Sequence, residues 1–599
     1  MKRSKVLVAV LYGVFASGFA AAESLSLDGS WSFRFEEGKC LEQIAVGSEV
    51  TAAQAGLAIC SEPSRAEREP SRPYQDTIPV PACYDMMPKW YMKRGTGLYR
   101  RSFTLAEPMK DAVLVVDGMG VRAKFEMDGK DLGLHPYPYA RLEIPVGPIA
   151  AGEHTVFAAV DNILSWPRVK LARPYYDFYF YGGFYHGVKL VEREPKVFVR
   201  TLDYKTGKVE VEVEDGGDSA VTLAFDGGQE VNVKLSNGRT TIAVPDFRLW
   251  SPAAPNLHRL SVQLSTLNFK LSTRFGIRQI EARDRKIYLN GKELFLKGFN
   301  RHESDWLNGA ATGEALMLQD IQRLKALGGN FIRGAHYQQC ERFLDLCDEN
   351  GVLVWEESLG WGNGQGYVNN NFPPSELKDA EFCEMQVKET RDMVRASFNH
   401  PSVIIYGFLN ECASQKPECK SLVDRLAETI RAENSGRLVT FACNVTDRDI
   451  CCTNMDIVSF NAYPGTIPMV PGDKAALAKS VAETFNGIVA RFRKRYPDKP
   501  IMVSESGCGG EFGRRGEYAS PNTEEFQDEY LTDIFKTLWA NPDVVGFSIW
   551  QMNDGRTRER FGGKAVSAMF GGSIAGVFDR LRRPKISAET VRKYFNLKP

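Results

Sequence analysis

The feature that most constrains this chain is a regular alternation of strand-like and helix-like segments, which begins near Gly276 and continues to the C-terminus. Amphipathic stretches such as 317–327, with apolar residues at helical spacing, separate short apolar runs. Eight β/α units over about 320 residues predict a (β/α)8 TIM barrel, whose active site lies at the carboxyl ends of the strands. The predicted strands are 295–299, 331–333, 352–356, 403–409, 438–442, 457–461, 501–504 and 545–550.

Two all-β regions precede the barrel. From Leu25 to about Arg193, short runs of alternating apolar residues are separated by Gly, Pro and Asp, which predicts a jelly-roll-like β-sandwich. A shorter series from Pro195 to about Arg274 predicts an immunoglobulin-like β-sandwich. We therefore expect domains at 23–193, 194–276 and 277–599.

The N-terminus has the parts of a secretory signal peptide. Basic residues at 2, 3 and 5 precede an apolar stretch at 6–19 and three alanines at 20–22. This pattern predicts a signal peptide at 1–22 and an exported protein, periplasmic or secreted. No later apolar stretch reaches about 18 residues, so no membrane span is expected.

Charge and cysteine content exclude some functions and leave others open. Lys plus Arg and Asp plus Glu both number 75, which argues against nucleic acid as a partner. The twelve cysteines and seven histidines form no paired Cys-x-x-Cys or Cys/His spacing, so no metal site is predicted. Spacing permits local disulfides or buried free thiols. The candidate disulfide partners are Cys40 with Cys60, Cys412 with Cys419, and Cys443 with Cys451 or Cys452.

Two glutamates stand at the ends of predicted barrel strands. Glu411 follows the fourth strand and Glu505 follows the seventh, so both carboxylates would face the barrel mouth. Retaining glycosidases need such a pair, with one carboxylate attacking the anomeric carbon and the other donating a proton to the leaving oxygen. A negative charge on Glu505 would keep the proton on Glu411. Each glutamate, taken alone, could instead be a loop salt-bridge partner.

The chain also contains LDGSW at 27–31, RLWSP at 248–252, FGIR at 275–278, KGFNRHE at 297–303 and NFIRGAHY at 330–337. Together with the two glutamate segments, these sequences resemble glycoside hydrolase family 2, which contains β-galactosidases, β-glucuronidases and β-mannosidases. The resemblance spans nearly the whole chain after residue 22 and assigns the acid/base role to Glu411 and the nucleophile role to Glu505.

The resemblance also implies a set of substrate-binding residues. It implies that Asn410 contacts the sugar 2-hydroxyl, that Tyr463 donates a hydrogen bond to the nucleophile, and that Trp550 stacks on the sugar. His302 and His336 resemble ligands of sugar hydroxyls, and Asp177 resembles an acid that reaches the pocket from the first β domain. Each residue also has a purely structural alternative. Asn410 could cap a strand end, Tyr463 and Trp550 could be core aromatic residues, the two histidines could be structural, and Asp177 could lie in a surface loop.

The identity of the sugar is less constrained. Family glucuronidases read the substrate carboxylate with an Asn-x-Lys motif, but Ser573 and Ala575 stand at those positions here. A loop carrying Arg556, Arg558 and Arg560 could serve a uronic acid by another geometry, or could be a solvated basic loop. We therefore expect a retaining exo-β-glycosidase that is most like a β-galactosidase. The alternatives are a β-uronidase (glucuronidase or galacturonidase), a β-mannosidase and a catalytically inactive carbohydrate-binding protein.

The chemistry of two carboxylates requires no cofactor. The resemblance leaves open a bound Mg²⁺ or Na⁺ and a homo-oligomer of unstated size, and the sequence identifies no ligands for either ion. The expected partner is an oligosaccharide or glycoside substrate.

Overall fold

A computed structural model describes the chain at residues 24–44, 74–164, 168–172, 176, 178–264, 270–360, 376–465, 473–516, 521–557 and 572–597. The predicted signal peptide lies outside these residues, as do Cys60, Asp177, Arg558 and Arg560. None of the helices in the described ranges is long and apolar enough to cross a membrane.

The first β region forms two antiparallel sheets around an aromatic core. Alternate residues of its strands point inward, so that Trp31 and Phe33 are buried on the same face. The six-stranded sheet has the order Asp76–Val80, Gly29–Glu37, Gly95–Leu105, Gly152–Asp161, Arg122–Met127 and Lys130–His135. The four-stranded sheet has the order Ser24–Ser26, Val188–Glu192, Met109–Asp117 and Arg141–Ile149.

A smaller pair of sheets follows, with its own core of valine, leucine and phenylalanine side chains. One sheet has the order Val197–Asp203, Lys208–Val213 and Arg239–Ala243. The other has the order Val231–Lys234, Ala220–Phe225, His258–Leu264 and Leu271–Phe275. A three-stranded sheet of Ile280–Arg283, Lys286–Leu289 and Lys292–Leu294 leads into the barrel.

The barrel strands are parallel and buried on both faces, as their apolar runs predict. The fifth strand is interrupted at Phe441, and its two pieces stand at opposite ends of the strand order, so the sheet is nearly closed. In chain order the strands are Leu296–Asn300, Phe331–Arg333, Leu353–Glu357, Val403–Gly407, Leu438–Thr440 with Ala442–Cys443, Val458–Asn461, Ile501–Ser506 and Val544–Ile549.

Helices alternate with these strands and cover the barrel with apolar faces. In chain order the helices of the described residues are Glu314–Ala326, Glu341–Asn350, Ala380–Ala396, Pro417–Ala432, Lys474–Arg495, Glu524–Ala540 and Ser587–Phe595. The predicted multidomain fold, with β-sandwiches and a C-terminal TIM barrel, is confirmed.

The fourth strand ends two residues earlier than predicted. Its ladder stops at Gly407, and Leu409 and Glu411 take positive φ values of 46° and 51°. The chain leaves the sheet because the Asn410 N–H donates to the Gly360 carbonyl and the Glu411 N–H donates to the Ala442 carbonyl. This turn, instead of a continued strand, carries Glu411.

Candidate active site

Polar side chains gather where the barrel strands end. Five of the eight strands close on a charged or amide residue that is nearly or fully buried, although each strand is otherwise largely apolar. These five are Asn300, Arg333, Glu357, Asn461 and, one residue before its strand ends, Glu505. Buried polar groups are retained when hydrogen bonds satisfy them, so this end of the barrel should contain a connected polar network.

Arg333 is the centre of that network. Its Nη1 donates to Glu505 Oε1 at 2.6 Å and its Nη2 donates to Asn410 Oδ1 at 3.0 Å. Its Nε donates to Glu357 Oε2 at 2.9 Å, and its Nη1 also donates to Asn300 Oδ1 at 3.1 Å. Burial opposes the charge of this guanidinium, but Glu357 and Glu505 outweigh that effect and raise the pKa of Arg333.

Glu505 is 3% exposed and is held at both carboxylate oxygens. Arg333 donates to Oε1, and the Tyr463 hydroxyl donates to Oε2 at 2.8 Å. The two donors come from different barrel strands or their following loops, so the plane of the carboxylate is fixed by groups on either side of it. The predicted contact between Tyr463 and Glu505 is therefore present.

Glu411 joins the same network through Asn461. Asn461 Nδ2 donates to Glu411 Oε1 at 3.0 Å and to Asn410 Oδ1 at 3.1 Å. Because Arg333 also donates to Asn410, a short chain of hydrogen bonds links the two glutamates. The Nδ2 of Asn410 is buried and has no hydrogen-bond partner in the described part of the chain, so this donor remains for another molecule.

The two histidines border Trp550. The His336 ring stacks on Trp550 with centroids 5.3 Å apart and planes at 15°, and His302 meets the same ring edge-on at 5.3 Å. Burial and the nearby Arg333 lower the pKa of His336 to about 3. Burial and neighbouring cationic groups lower the pKa of His302 well below its usual value. Both imidazoles are therefore neutral near pH 7, and the contact of His336 Nδ1 with Glu357 Oε1 at 3.1 Å is a hydrogen bond instead of an ion pair.

The first β-sandwich also reaches this end of the barrel. Phe178 lies against His302 and His336, with centroid distances of 5.1 and 6.1 Å. Tyr139 stacks on Tyr337 at 3.6 Å. The predicted role of Asp177 lies outside the described residues.

Arg333, Asn461, Glu357 and Asn300 were not among the residues singled out from the sequence. A usable signal existed, because each is a polar residue at the end of an apolar strand, as Glu411 and Glu505 nearly are. Their partners come from different strands, however, so only the closed barrel reveals the connection.

Groups with metal-ligand chemistry also occur in the described residues, and each has a partner within the protein for at least one of its members. Asp449, which neighbours Cys443 and Cys452, already accepts from two backbone N–H groups and the Tyr496 hydroxyl. His186 pairs with Glu303 at 3.1 Å, and His400 pairs with Asp348 at 2.6 Å. Every described cysteine is a free thiol.

Comparison with known proteins agrees with this geometry. The model of glycosyl hydrolases family 2, TIM barrel domain, matches residues 280–598, which is more than half of the chain. The model of glycosyl hydrolases family 2 matches residues 190–278. A β-glucuronidase of Paenibacillus borealis is 25% identical over 576 residues, covering 88% of this chain and 93% of its own. A β-glucuronidase of Streptococcus agalactiae is 24% identical and covers 87% of this chain and 92% of its own.

Solved structures agree as well. A GH2 β-galacturonidase from Eisenbergiella tayi bound to galacturonate superposes with a TM-score of 0.80 at 25% identity, covering 98% of this chain and 99% of that one. A β-glucuronidase from Faecalibacterium prausnitzii gives a TM-score of 0.80 at 25% identity, with the same coverage. Glycosidases of this family need no cofactor. The chain belongs to glycoside hydrolase family 2, and it is a β-glycosidase.

Proposed function

We propose that the protein is a retaining, exo-acting β-uronidase, which releases a terminal β-linked glucuronic or galacturonic acid from the non-reducing end of a glycoside. The relatives support this proposal, since those of nearly full coverage are β-glucuronidases and a structural neighbour is a β-galacturonidase. They favour the uronidase alternative over the galactosidase expected from the sequence.

The single structural observation that supports this chemistry is the linkage of two glutamates by one hydrogen-bond network. Glu505 is oriented by Arg333 and Tyr463, which suits a nucleophile. Glu411 is held by an amide, Asn461, which donates to one of its oxygens. The nucleophile must be ionised and the acid/base must carry a proton, so the two carboxyl groups need different surroundings.

In the first proposed step, the Glu505 carboxylate attacks the anomeric carbon and forms a glycosyl ester. The bond to the aglycone oxygen breaks, and that oxygen takes the proton of Glu411. In the second step, Glu411 accepts a proton from water, whose oxygen attacks the same carbon and releases Glu505. Two inversions retain the β configuration.

Other residues have supporting roles in this proposal. The unpartnered Nδ2 of Asn410 donates to the sugar 2-hydroxyl, and the neutral His302 and His336 bind other hydroxyls. Trp550 offers an aromatic surface to the sugar. Asp177 remains a candidate contributed by the first β domain.

Export also remains part of the proposal. Residues 1–22 have the charge and hydropathy of a signal peptide. N-terminal sequencing of the protein secreted by its host is expected to begin at Glu23, and a retained leader would contradict this.

A substrate panel tests the proposed activity. The chain from residue 23 onward is assayed with the 4-nitrophenyl β-glycosides of glucuronic acid, galacturonic acid, galactose and mannose. We expect kcat/KM for one of the uronides to exceed the values for both neutral sugars by at least about tenfold. Higher activity on a neutral sugar would refute the uronidase proposal. Glu505→Gln should abolish turnover while the protein still folds, and retained activity would refute the role of Glu505.

A further inference from the structure

Arg556 is a buried cation without an anionic partner in the described chain. It is 6% exposed, and its guanidinium lies over the rings of Trp306 and Tyr91, at 4.5 and 5.0 Å from their centroids. No described carboxylate forms an ion pair with it, and its Nε is buried without a hydrogen-bond partner. Buried charges are normally paired, so an anion supplied from outside the described residues would complete this arrangement.

The described partners of Arg556 are neutral, and they do not satisfy all of its N–H groups. Its Nη2 donates to the Tyr91 hydroxyl at 2.6 Å and contacts the Trp306 carbonyl at 3.5 Å. Its Nη1 faces the Met92 thioether at 3.0 Å, and a thioether sulfur is a weak acceptor. Among the described residues, the Nε–H therefore lacks an acceptor and Nη1 has only a weak one.

The backbone connects Arg556 with the pocket. The two-residue strand Gly555–Arg556 pairs antiparallel with Gly572–Ser573. Two residues further along, the Ala575 carbonyl accepts from the N–H of Gln551, which directly follows Trp550. The segment 573–575 therefore lies between the Trp550 loop and Arg556.

The neighbours of Gly555 lead to the pocket from the other side. The nearest side chain to a Cβ placed on Gly555 would be that of Ser304, with Oγ at 3.9 Å. The Ser304 N–H donates to the carbonyl of His302, whose ring borders Trp550. The backbone of Gly555, the residue before Arg556, is therefore also close to the pocket.

The segment 573–575 offers no charge of its own to a carboxylate. Ser573 and Ala575 are neutral, and they occupy the positions of the asparagine and the lysine in the Asn-x-Lys motif of the family glucuronidases. Lys585 donates to the carbonyl of Ile574 at 2.9 Å, but it is already paired with Asp554 at 2.8 Å. Among the described residues, Arg556 is therefore the cation beside this segment that lacks a carboxylate partner.

We propose that Arg556 binds the carboxylate of the substrate's uronic acid and sets the preference for a charged sugar. The proposal rests on the proposed β-uronidase function and names the group that would recognise the carboxylate of the substrate. A planar guanidinium fork suits a carboxylate, and its burial between two aromatic rings fixes its direction and strengthens the interaction. The anion would at the same time neutralise a charge that has no carboxylate partner among the described residues.

The competing explanation is a structural clamp, because Tyr91 and Met92 belong to the first β-sandwich whereas Arg556 and Trp306 belong to the barrel. A clamp would affect folding and all substrates alike. A carboxylate-binding role would instead change the preference between charged and neutral sugars.

The test therefore measures selectivity in Arg556→Gln, Arg556→Lys and a matched control. The control is Arg580→Gln, because the Arg580 guanidinium also lies over the Trp306 ring, at 4.6 Å. Each purified variant is assayed with the preferred 4-nitrophenyl β-uronide and with the β-galactoside, and its melting temperature is recorded. Binding of free galacturonate and glucuronate to the same proteins is measured by calorimetry.

We expect Arg556→Gln to lower the ratio of kcat/KM for uronide over galactoside about 10- to 100-fold, as the loss of one charge-assisted contact predicts. Arg556→Lys keeps the charge without the fork and should fall between this variant and the wild type, and Arg580→Gln should keep the wild-type ratio. An unchanged ratio in both Arg556 variants would overturn the proposal, as would an equal loss with Arg580→Gln.

If Arg556→Gln does not fold, the ratio and the calorimetry of Arg556→Lys decide the question. A wild-type protein that prefers a neutral sugar would instead refute the proposed function itself, before any variant is compared.

Discussion

Removing one hydroxyl from Tyr463 tests how the nucleophile is controlled. The Tyr463 hydroxyl donates to Glu505 Oε2 at 2.8 Å, and Tyr463→Phe deletes this bond while keeping the aromatic ring. Tyr496→Phe is a matched control, because the Tyr496 hydroxyl also donates to a carboxylate oxygen at 2.8 Å, that of Asp449. The two variants lose the same type of contact at two places in the barrel domain.

The expected magnitude follows from the type of bond. A hydrogen bond to a charged group contributes about 1.5–3 kcal/mol, which corresponds to about 10- to 150-fold in rate. The loss should be greatest in the second step, because Glu505 regains its negative charge as the ester breaks and Tyr463 stabilises that charge. Tyr463→Phe should therefore accumulate the glycosyl-enzyme.

Stopped-flow release of 4-nitrophenolate measures both steps. We expect a burst close to one equivalent of enzyme in Tyr463→Phe, followed by turnover about 10- to 150-fold slower than in the wild type. Tyr496→Phe should lower the melting temperature with little change in kcat. An unchanged kcat in Tyr463→Phe, or the same fall in both variants, would refute the assigned role.

Two further predictions concern stability. Arg333→Met leaves Glu357 and Glu505 buried without their cation, so urea unfolding should show a loss of about 3–5 kcal/mol, and a loss below about 1 kcal/mol would contradict the ion-pair network. Burial opposes the charge of His400, but Asp348 outweighs it and raises the pKa of His400 to about 9. This pair should therefore stabilise the fold below about pH 6.5 and lose that contribution as the pH rises through 9. His400→Gln should make the free energy of unfolding in urea depend less on pH over this range. An unchanged pH dependence would contradict the pairing.

The sequence predicts the framework of this protein well, because strand and helix periodicities are local. Apolar runs predict the eight barrel strands. Because Glu411 and Glu505 each follow such a run, the sequence places both at the carboxyl-end mouth of the barrel. The end of the fourth strand was misjudged, since Phe408 and Leu409 continue the apolar run. The chain leaves the ladder there because backbone groups find partners at Gly360 and Ala442.

Contacts that join distant segments could not be predicted in the same way. Arg333 contacts residues from the first, third, fourth and seventh β/α units, and no spacing in the sequence encodes such a set. The burial of Arg556 without a described carboxylate partner could not be predicted either. A run of arginines is typical of a solvated loop, and only its burial in the fold distinguishes Arg556. The expectation of a galactosidase rests on Ser573 and Ala575, and only the fold shows that the strand paired with Ser573 carries Arg556.

The central claim is that Glu505 and Glu411 act on one anomeric carbon by two successive inversions. Proton NMR during hydrolysis of the preferred β-glycoside observes the first sugar anomer formed, before mutarotation. The account predicts that the β anomer appears first and that the α anomer grows in later. Initial formation of the α anomer would show a single inversion and would contradict the assignment of Glu505 as a nucleophile.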